Sequence, residues 1–256
     1  MKRVLNITIW IALISGIFAL VGFIDAEHKK ISCKDVDILI DYQNGDPLVF
    51  KHEVELVLNK QFDTLVGRKF NDIDLPRLEN RLRDIPAVEK ADIYTTITGS
   101  LKVRIKQRTP ILKLIDRKNE NYYVDKFGKL FKTAPGASNR VIVVNGYIDK
   151  PEPDTSKTAV NKEVELIAQI LEMVNFIRND DFLNAQIEQI YVTRNREFEL
   201  VPKVGRQLII FGGINDMEKK FEKLLVFYRQ GINKKGWDQY KTINLKYENQ
   251  VVCSKN

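Results

Sequence analysis

The stretch ADIYTTITGSLKVRIK at residues 91–106 decides the fold of the first half of the chain. Apolar side chains recur at every second position on both sides of Gly99-Ser100, a pattern typical of two antiparallel strands joined by a tight turn. The inward set comprises Ala91, Ile93, Thr95, Ile97, Leu101, Val103 and Ile105. We therefore predict a β-hairpin with one face on a core and the other in solvent.

The solvent face of this hairpin carries a row of cations, Lys102, Arg104 and Lys106. One interpretation is contact with an acidic partner. The other, which we favour, is that charges on this face discourage stray strand pairing.

Upstream of the hairpin the sequence predicts one strand and two helices. Apolar residues alternate over 36–40, which indicates the strand, and recur at helical spacing over 50–62, which indicates the first helix. Asp74 is placed as the N-cap of the second helix, which runs over 75–85 and stops before a proline. The order strand, helix, helix, strand, strand predicts a small α+β domain over residues 31–108, with both helices on one face of its sheet.

For residues 109–256 the sequence predicts a second domain, which is a mixed β-sheet with flanking helices. Short apolar runs bounded by turn residues indicate strands near 122–124, 141–144, 187–192, 198–200 and 208–211. Helical spacing of apolar residues indicates one helix from Val160 to Val174 and another from Met217 to Tyr228. The stripe of the earlier helix comprises Val160, Val164, Ile167, Leu171 and Val174.

The chain ends in a further alternating run. Ile243, Leu245 and Tyr247 alternate with polar neighbours, and Val251-Val252 continue the pattern. We predict a terminal strand here. At the end of a sheet, such a strand would offer an unpaired edge.

An uncharged apolar run precedes the first domain and follows Lys2 and Arg3. In a helix it would span roughly 30 Å, the thickness of the hydrocarbon core of a bilayer. We predict a transmembrane helix over 4–24 behind a short stub, residues 1–3. The side chains taken to mark this anchor are Val4, Trp10, Phe18 and Ile24.

The orientation of this predicted helix follows from the flanking charges. Because positive charge favours the cytoplasmic side, the N-terminus and its stub are predicted inside the cell and the bulk of the chain in the periplasm or outside. The predicted location is therefore the cytoplasmic (inner) membrane, crossed once. A cleaved signal peptide is the alternative, but its apolar core would be shorter, roughly 7–15 residues.

The composition is that of a folded protein with 44% hydrophobic and 29% charged residues, which argues against disorder. The net charge of +7 is spread along the chain, which is typical of a solvated basic surface. We expect no nucleic-acid partner, because the bulk of the chain is predicted to lie on the far side of the membrane. Cys33 lies near the start of the first domain and Cys253 near the end of the second, and we expect both to be unpaired. A single disulfide in an oxidising compartment is the alternative.

No sequence pattern predicts a catalytic site. The two histidines, His28 and His52, have no partner at metal-ligand spacing, and no nucleophile or zinc-protease motif is present. Gly212-Gly213 lies between a predicted strand and a predicted helix, where a tight turn explains it better than a nucleotide loop. We therefore expect no enzyme activity, no cofactor and no metal.

The order of these elements resembles the FtsQ/DivIB family of bacterial cell-division proteins, and the first domain is similar to a POTRA domain. The motifs that carry the resemblance in the first half are Leu75-Pro76-Arg77-Leu78-Glu79, Ile85-Pro86-Ala87-Val88, Gly99-Ser100-Leu101-Lys102-Val103 and Gln107-Arg108-Thr109-Pro110. Those in the second half are Tyr123-Val124-Asp125 with Gly128, Ile209-Ile210-Phe211-Gly212, and Ile243-Asn244-Leu245-Lys246-Tyr247 before Gln250-Val251-Val252.

The chain departs from the family pattern at three places. Gln107 stands where the family usually has an acid, and Ile111-Leu112 are bulkier than the usual small apolar pair. Asn244-Leu245-Lys246 replaces the more frequent Asp-Leu-Arg. The resemblance completes the predicted fold class: α+β, with a single N-terminal transmembrane helix, a POTRA-like βααββ domain, and a mixed β-sheet domain with flanking helices.

The resemblance implies a non-enzymatic scaffold of the divisome at the division septum. Its expected partners are FtsB/FtsL-like coiled-coil division proteins and other membrane proteins of the divisome. The family mode of binding is strand addition at the last strands, which carries over to a strand from Asn244 to Val252. The partner-binding residues expected from this are Asn244, Lys246, Tyr247, Glu248, Gln250 and Val252.

Tyr247 also has a simpler interpretation, because its spacing from Ile243 and Leu245 places it toward the core. Two other functions stay open at this point. One is a POTRA-containing transport or assembly factor, and the other is a membrane-anchored cell-wall enzyme.

Overall fold

The computed structural model describes residues 10, 13–16, 31–43, 45–60, 64–133, 136–150, 162–232 and 239–255. The chain divides into two compact units, Met1–Arg108 and Thr109–Asn256. Each unit is built around its own β-sheet.

The first unit has the predicted strand–helix–helix–strand–strand order. Its elements are β1 (Asp35–Asp41), α1 (Lys51–Asn59), a short 3₁₀ turn (Phe70–Asp72), α2 (Leu75–Arg83), β2 (Val88–Thr95) and β3 (Ser100–Gln107). The strands lie in the order β1-β3-β2, with β1 parallel and β2 antiparallel to β3. Its buried core joins Ala91, Ile93, Leu101, Val103 and Ile105 of the hairpin with Val54, Leu58, Leu78 and Leu82 of the helices.

Helix α2 begins as the sequence predicts. The Asp74 carboxylate accepts a hydrogen bond from the Arg77 N–H at 3.0 Å, so one unsatisfied amide of the first turn gains a partner. A proline in the first turn loses no helical hydrogen bond there. The two apolar residues at i and i+4, Leu78 and Leu82, are fully buried.

The hairpin turn is tighter than the alternation suggests. Gly99 has φ +96°, and a Cβ atom there would lie 3.1 Å from the Ser32 carbonyl oxygen, so glycine suits this turn. The prediction that Ile97 faces the core is wrong, since its side chain is 80% exposed. The Thr96 N–H already pairs with the Ser100 carbonyl at 3.0 Å. Ile97 is therefore one of the turn residues that follow β2, and its side chain no longer lies on the core face of the strand.

Gln107 fastens the connection between β1 and α1 to the end of β3. Its Oε1 accepts from the N–H groups of Leu48 at 2.6 Å and Val49 at 3.1 Å, and its Nε2 donates to the Asp46 carbonyl at 3.0 Å. The residue is 1% exposed, so these bonds satisfy an amide that water does not reach. A carboxylate could accept as Gln107 does, but it could not donate.

The second unit is a mixed sheet of nine strands. Its elements are β4 (Pro110–Ile115), β5 (Asn121–Asp125), β6 (Leu130–Phe131), β7 (Ile142–Gly146), α3 (Lys162–Arg178), α4 (Asp181–Gln186), β8 (Ile187–Val192), β9 (Phe198–Pro202), β10 (Leu208–Gly212), α5 (Met217–Phe227), a π-helical turn (Tyr228–Ile232), β11 (Tyr240–Asn244) and β12 (Val252–Lys255). The strand order is β12-β11-β10-β9-β8-β7-β4-β5-β6. The predicted mixed sheet with flanking helices is therefore present.

Helices α3 and α5 pack into one apolar core with the strands. The buried face of α3 comprises Leu166, Ile167, Ile170, Met173, Val174 and Ile177. Val164, which the sequence places in the stripe, is 53% exposed, so that part of the prediction is wrong. Two overlapping apolar stripes exist in this helix, and packing selects the one that contains Leu166 and Ile170.

The prediction of an N-terminal transmembrane helix is contradicted. In the described part of the chain, no helix is long and apolar enough to cross a membrane, which takes about 20 apolar residues in one helix. Of the predicted anchor residues, Trp10 is described and is 63% exposed. Val4, Phe18 and Ile24 lie outside the described residues.

We predict that Gln107→Glu lowers the free energy of unfolding by about 1–3 kcal/mol at neutral pH, because a carboxylate loses the donor to the Asp46 carbonyl and is buried as a charge. Urea unfolding followed by circular dichroism measures the change. Gln250→Glu adds the same charge at an exposed position and should leave stability within about 0.5 kcal/mol. Equal stability of Gln107→Glu and the unchanged chain would contradict the role given to the Gln107 amide.

Candidate functional site

The end of the nine-stranded sheet is built by a parallel pair. Strand β11 lies parallel to β10, with Ile209 opposite Ile243, and helix α5 makes the crossover that such a pair needs. The chain then returns as β12, antiparallel to β11. Strand β12 is consequently the last strand on this side of the sheet.

The predicted single strand from Asn244 to Val252 is wrong. Asn244 is the last residue of β11 and Val252 the first of β12, and the two face each other in the ladder. Residues 245–251 connect the strands, with Asn249 in the left-handed region at φ +54°. The alternation ends at Leu245, which is fully buried, because the chain leaves the sheet there.

The connection therefore carries most of the predicted partner-binding residues. They are Lys246, Tyr247, Glu248 and Gln250, all of them exposed. Tyr247 is 49% exposed, so the interpretation that placed it in the core is wrong. Val252 is 41% exposed at the start of β12, and Asn244 is half-buried in β11.

The backbone of β12 directs an amide away from the sheet. The Leu245 N–H donates to the Ile210 carbonyl at 2.9 Å, and N–H groups alternate sides along a strand, so the Asn244 N–H points toward β12. Asn244 pairs with Val252, whose own amide consequently points back to β11. The amide of the next residue, Cys253, then points to the open side of the strand.

Lys223 of α5 holds the connection in place. Its ammonium donates to the carbonyl of Leu245 at 2.9 Å and to the carbonyl of Tyr247 at 2.6 Å. A charged donor satisfies two backbone carbonyls that have left the sheet ladder.

Lys246 fastens the same connection to the turn that precedes β9. Its ammonium lies 2.7 Å and 2.9 Å from the two carboxylate oxygens of Glu197, the residue before β9. Its aliphatic stem lies over Gly212, where an added Cβ atom would come within 2.8 Å of the Lys246 Cγ. Gly212 has φ +79°, so both its conformation and its contact with Lys246 require glycine.

A groove of about 1030 Å³ lies between α5 and the connection. Its apolar lining is Val226, Phe227, Leu245, Tyr247 and Val251, and its basic lining is Lys219, Lys220, Lys223 and Lys246. The acidic residues Asp216, Glu222 and Glu248 also line it. The groove is therefore suited to side chains of mixed character rather than to a single small ligand.

Lys220 is a half-buried cation of this groove. It donates to the Gly213 carbonyl at 2.8 Å and lies 5.1 Å from the centroid of the Phe211 ring. Burial lowers the pKa of the Lys220 ammonium below its usual value. These contacts tie Lys220 to the turn between β10 and α5.

Sequence reasoning missed four residues of this site: Lys223, Glu197, Gly212 and Cys253. No sequence pattern marks Lys223 as a partner of backbone carbonyls, and Gly212 is predicted only as part of a turn. Nothing in the sequence pairs Lys246 with Glu197, because the contact joins residues 49 positions apart. The interruption of the terminal strand hid the position of Cys253.

The remaining candidates for catalysis or metal binding in the described residues are a histidine and two cysteines. In the described residues there is no group of three or more His, Cys, Asp or Glu side chains that could hold a metal ion. His52 is exposed and stacks on Phe50 at 5.7 Å between ring centroids. Cys33 and Cys253 are free thiols, and burial raises the pKa of each, which lowers their reactivity.

Comparison with known proteins finds matches over both units. A family model described as FtsQ/DivIB, C-terminal related, matches residues 109–254, which is more than half of the chain. A model of a POTRA-like domain matches residues 31–106. Among curated proteins, cell division protein FtsQ of Rhodothermus marinus is 22% identical over 190 residues, which cover 73% of this chain and 67% of that protein. The resemblance expected from the sequence is confirmed.

We predict that Lys223→Met loosens the connection without unfolding the sheet, because methionine keeps much of the stem but cannot bind the two carbonyls. Hydrogen exchange of the amides of residues 245–251 should become at least about fivefold faster. Lys219→Met is the matched control, since that ammonium is exposed and, among the described residues, pairs with the Asp216 carboxylate at 3.1 Å rather than with the connection. Equal exchange in the two variants would contradict the role of Lys223.

Proposed function

The chain belongs to the FtsQ/DivIB family, and we propose that it serves bacterial cell division as a scaffold that binds other division proteins. The family match over residues 109–254 and the POTRA-like match over residues 31–106 support this role. The FtsQ/DivIB family is one of non-catalytic division scaffolds, so the proposed work of the chain is binding. The proposed place of this work is the division septum.

The proposed mode of binding is the addition of a partner strand to β12. One observation carries it: β12 ends the nine-stranded sheet and pairs with β11 on one side. The Cys253 amide is directed to the other side, where a partner carbonyl could accept its hydrogen bond. Strand addition draws affinity from such backbone bonds and specificity from neighbouring side chains.

The connection between β11 and β12, together with the first residue of β12, would supply those side chains. Tyr247, Glu248, Gln250 and Val252 are exposed and next to the open strand, so we assign them to partner contact. Lys246 is engaged with Glu197 at 2.7 Å.

Asn244 also acts within the chain. Its Oδ1 accepts from the Lys246 N–H at 3.0 Å. Of the six expected binding residues, Asn244 and Lys246 are therefore given a positioning role in this proposal.

The proposed partners are FtsB/FtsL-like coiled-coil division proteins. Such a protein would contribute a short extended segment to the sheet, and the groove between α5 and the connection would take its adjoining side chains. Contacts to other divisome proteins would use the remaining surface of the scaffold.

A proline substitution tests strand addition directly. Cys253→Pro removes the amide that points to the open side, a change that an edge strand tolerates because that amide bonds to no neighbouring strand. Cys253→Ala is the matched control, since it removes the same thiol and keeps the amide. We expect Cys253→Pro to weaken binding of the FtsB/FtsL-like protein of the same organism at least about fivefold, and Cys253→Ala to leave it nearly unchanged.

The measurement is biolayer interferometry with the purified full chain, together with a thermal melt of each variant. Equal affinity of the proline and alanine variants, at equal melting temperature, would show that the β12 backbone is not used. Equal loss in both would assign the effect to the thiol and would also contradict strand addition.

A further inference from the structure

The two outer strands of the first unit's sheet, β2 and β1, differ in whether a side chain binds their outward backbone groups. On β2, the Ile93 N–H points away from β3 and donates to the Glu79 carboxylate of α2 at 2.8 Å. The Glu79 side chain thus accepts the hydrogen bond of an amide that could otherwise pair with another strand. Helix α2 and β2 also pack closely along this side, since Leu78 and Leu82 are fully buried.

In the described part of the chain, no side chain caps the outward backbone groups of Asp37 or Leu39 in β1 in this way. The Lys34 N–H donates to the Gly99 carbonyl at 2.8 Å, so even-numbered residues direct their backbone groups to β3 and odd-numbered ones away from it. Among the described residues, no hydrogen bond reaches the backbone N–H or C=O of Asp37 or Leu39 from outside the strand. These two residues present four backbone groups at the open side.

The inward row of β1 is incompletely covered. Val36, Ile38 and Ile40 are each partly exposed. Their register partners on β3, which are Leu101, Val103 and Ile105, are 0%, 1% and 0% exposed. A further strand beside β1 would complete this cover and remove apolar surface from water.

The outward row of β1 is acidic. Asp35, Asp37 and Asp41 lie on this row with Leu39, which is 59% exposed. Asp37 pairs with Lys102 at 2.8 Å, and Asp35 accepts from the Ser100 hydroxyl at 2.8 Å. The acidic row repels acidic or like strands and favours a basic one, although the net charge of the whole chain is +7.

We propose that β1 accepts an extended segment of a partner protein as a fourth strand of this sheet, and that the segment alternates basic with apolar residues. Its apolar side chains cover Val36, Ile38 and Ile40, and its basic side chains lie beside Asp37 and Asp41. Its backbone bonds to Asp37 and Leu39. This surface belongs to the first unit and is separate from the β12 site.

Two labelled peptides test the chemistry of the segment. One alternates lysine and valine over seven residues, and the other alternates glutamate and valine. With the purified full chain, fluorescence anisotropy should give the lysine peptide at least about tenfold tighter binding. Non-specific attraction to a chain of net charge +7 would favour the glutamate peptide instead, so the expected preference is diagnostic.

Three variants test the position of the segment. Leu39→Pro removes an outward amide on an edge strand and should weaken binding of the lysine peptide at least about fivefold, while Leu39→Ala, which keeps the amide, should change it less than about twofold. The Asp37→Asn, Asp41→Asn double variant keeps every amide and should remove most of the preference for lysine. A thermal melt checks that each variant is folded.

Hydrogen exchange supplies a second measurement. The amides of Asp37 and Leu39 should exchange quickly in the free chain and become protected when the lysine peptide binds. The proposal is overturned by equal binding of both peptides, by equal affinity of folded Leu39→Pro and Leu39→Ala, or by protection that appears elsewhere. A dimer in sedimentation that Leu39→Pro converts to monomer would make a second copy the occupant and would also overturn it.

Discussion

The parallel pairing of β11 with β10 is the constraint on which the candidate site depends. Parallel neighbours cannot be joined by a tight turn, so the chain must cross over, and α5 is that crossover. The crossover leaves α5 beside the place where the chain turns from β11 into β12. The groove, the hydrogen bonds from Lys223 to the connection and the open side of β12 all follow from this one strand pairing.

The connection between β11 and β12 keeps its shape through bonds to three other elements. Lys223 binds its carbonyls from α5, Lys246 reaches Glu197 beside β9, and the Leu245 N–H binds β10. A seven-residue connection held at these points presents its exposed side chains in fixed positions, which lowers the entropy cost of binding a partner. In the described residues each unit thus has an end strand, β12 or β1, that pairs with a single neighbour, and polar side-chain contacts hold the connection next to it.

Local patterns predicted most elements correctly and failed where several arrangements share one pattern. Asp74, Leu78 and Leu82 define α2 by capping and spacing alone, and the structure has that helix. Val164 fits a helical stripe as well as Leu166 does, and Ile97 fits a strand as well as a turn. Tyr247 continued an alternation whose strand had already ended at Asn244. In each case packing or a hydrogen bond in a turn selects one of two conformations that fit the local sequence equally well.

The sequence by itself determined the order of most strands and helices and the family to which the chain belongs, because periodicity, caps and turns are local properties. Only the tertiary structure decided which strands end the sheets, that Lys246 meets Glu197, and that Gln107 holds the β1–α1 connection. These contacts join residues that are tens of positions apart, and their energies depend on register and burial. Neither is specified until the sheets have formed.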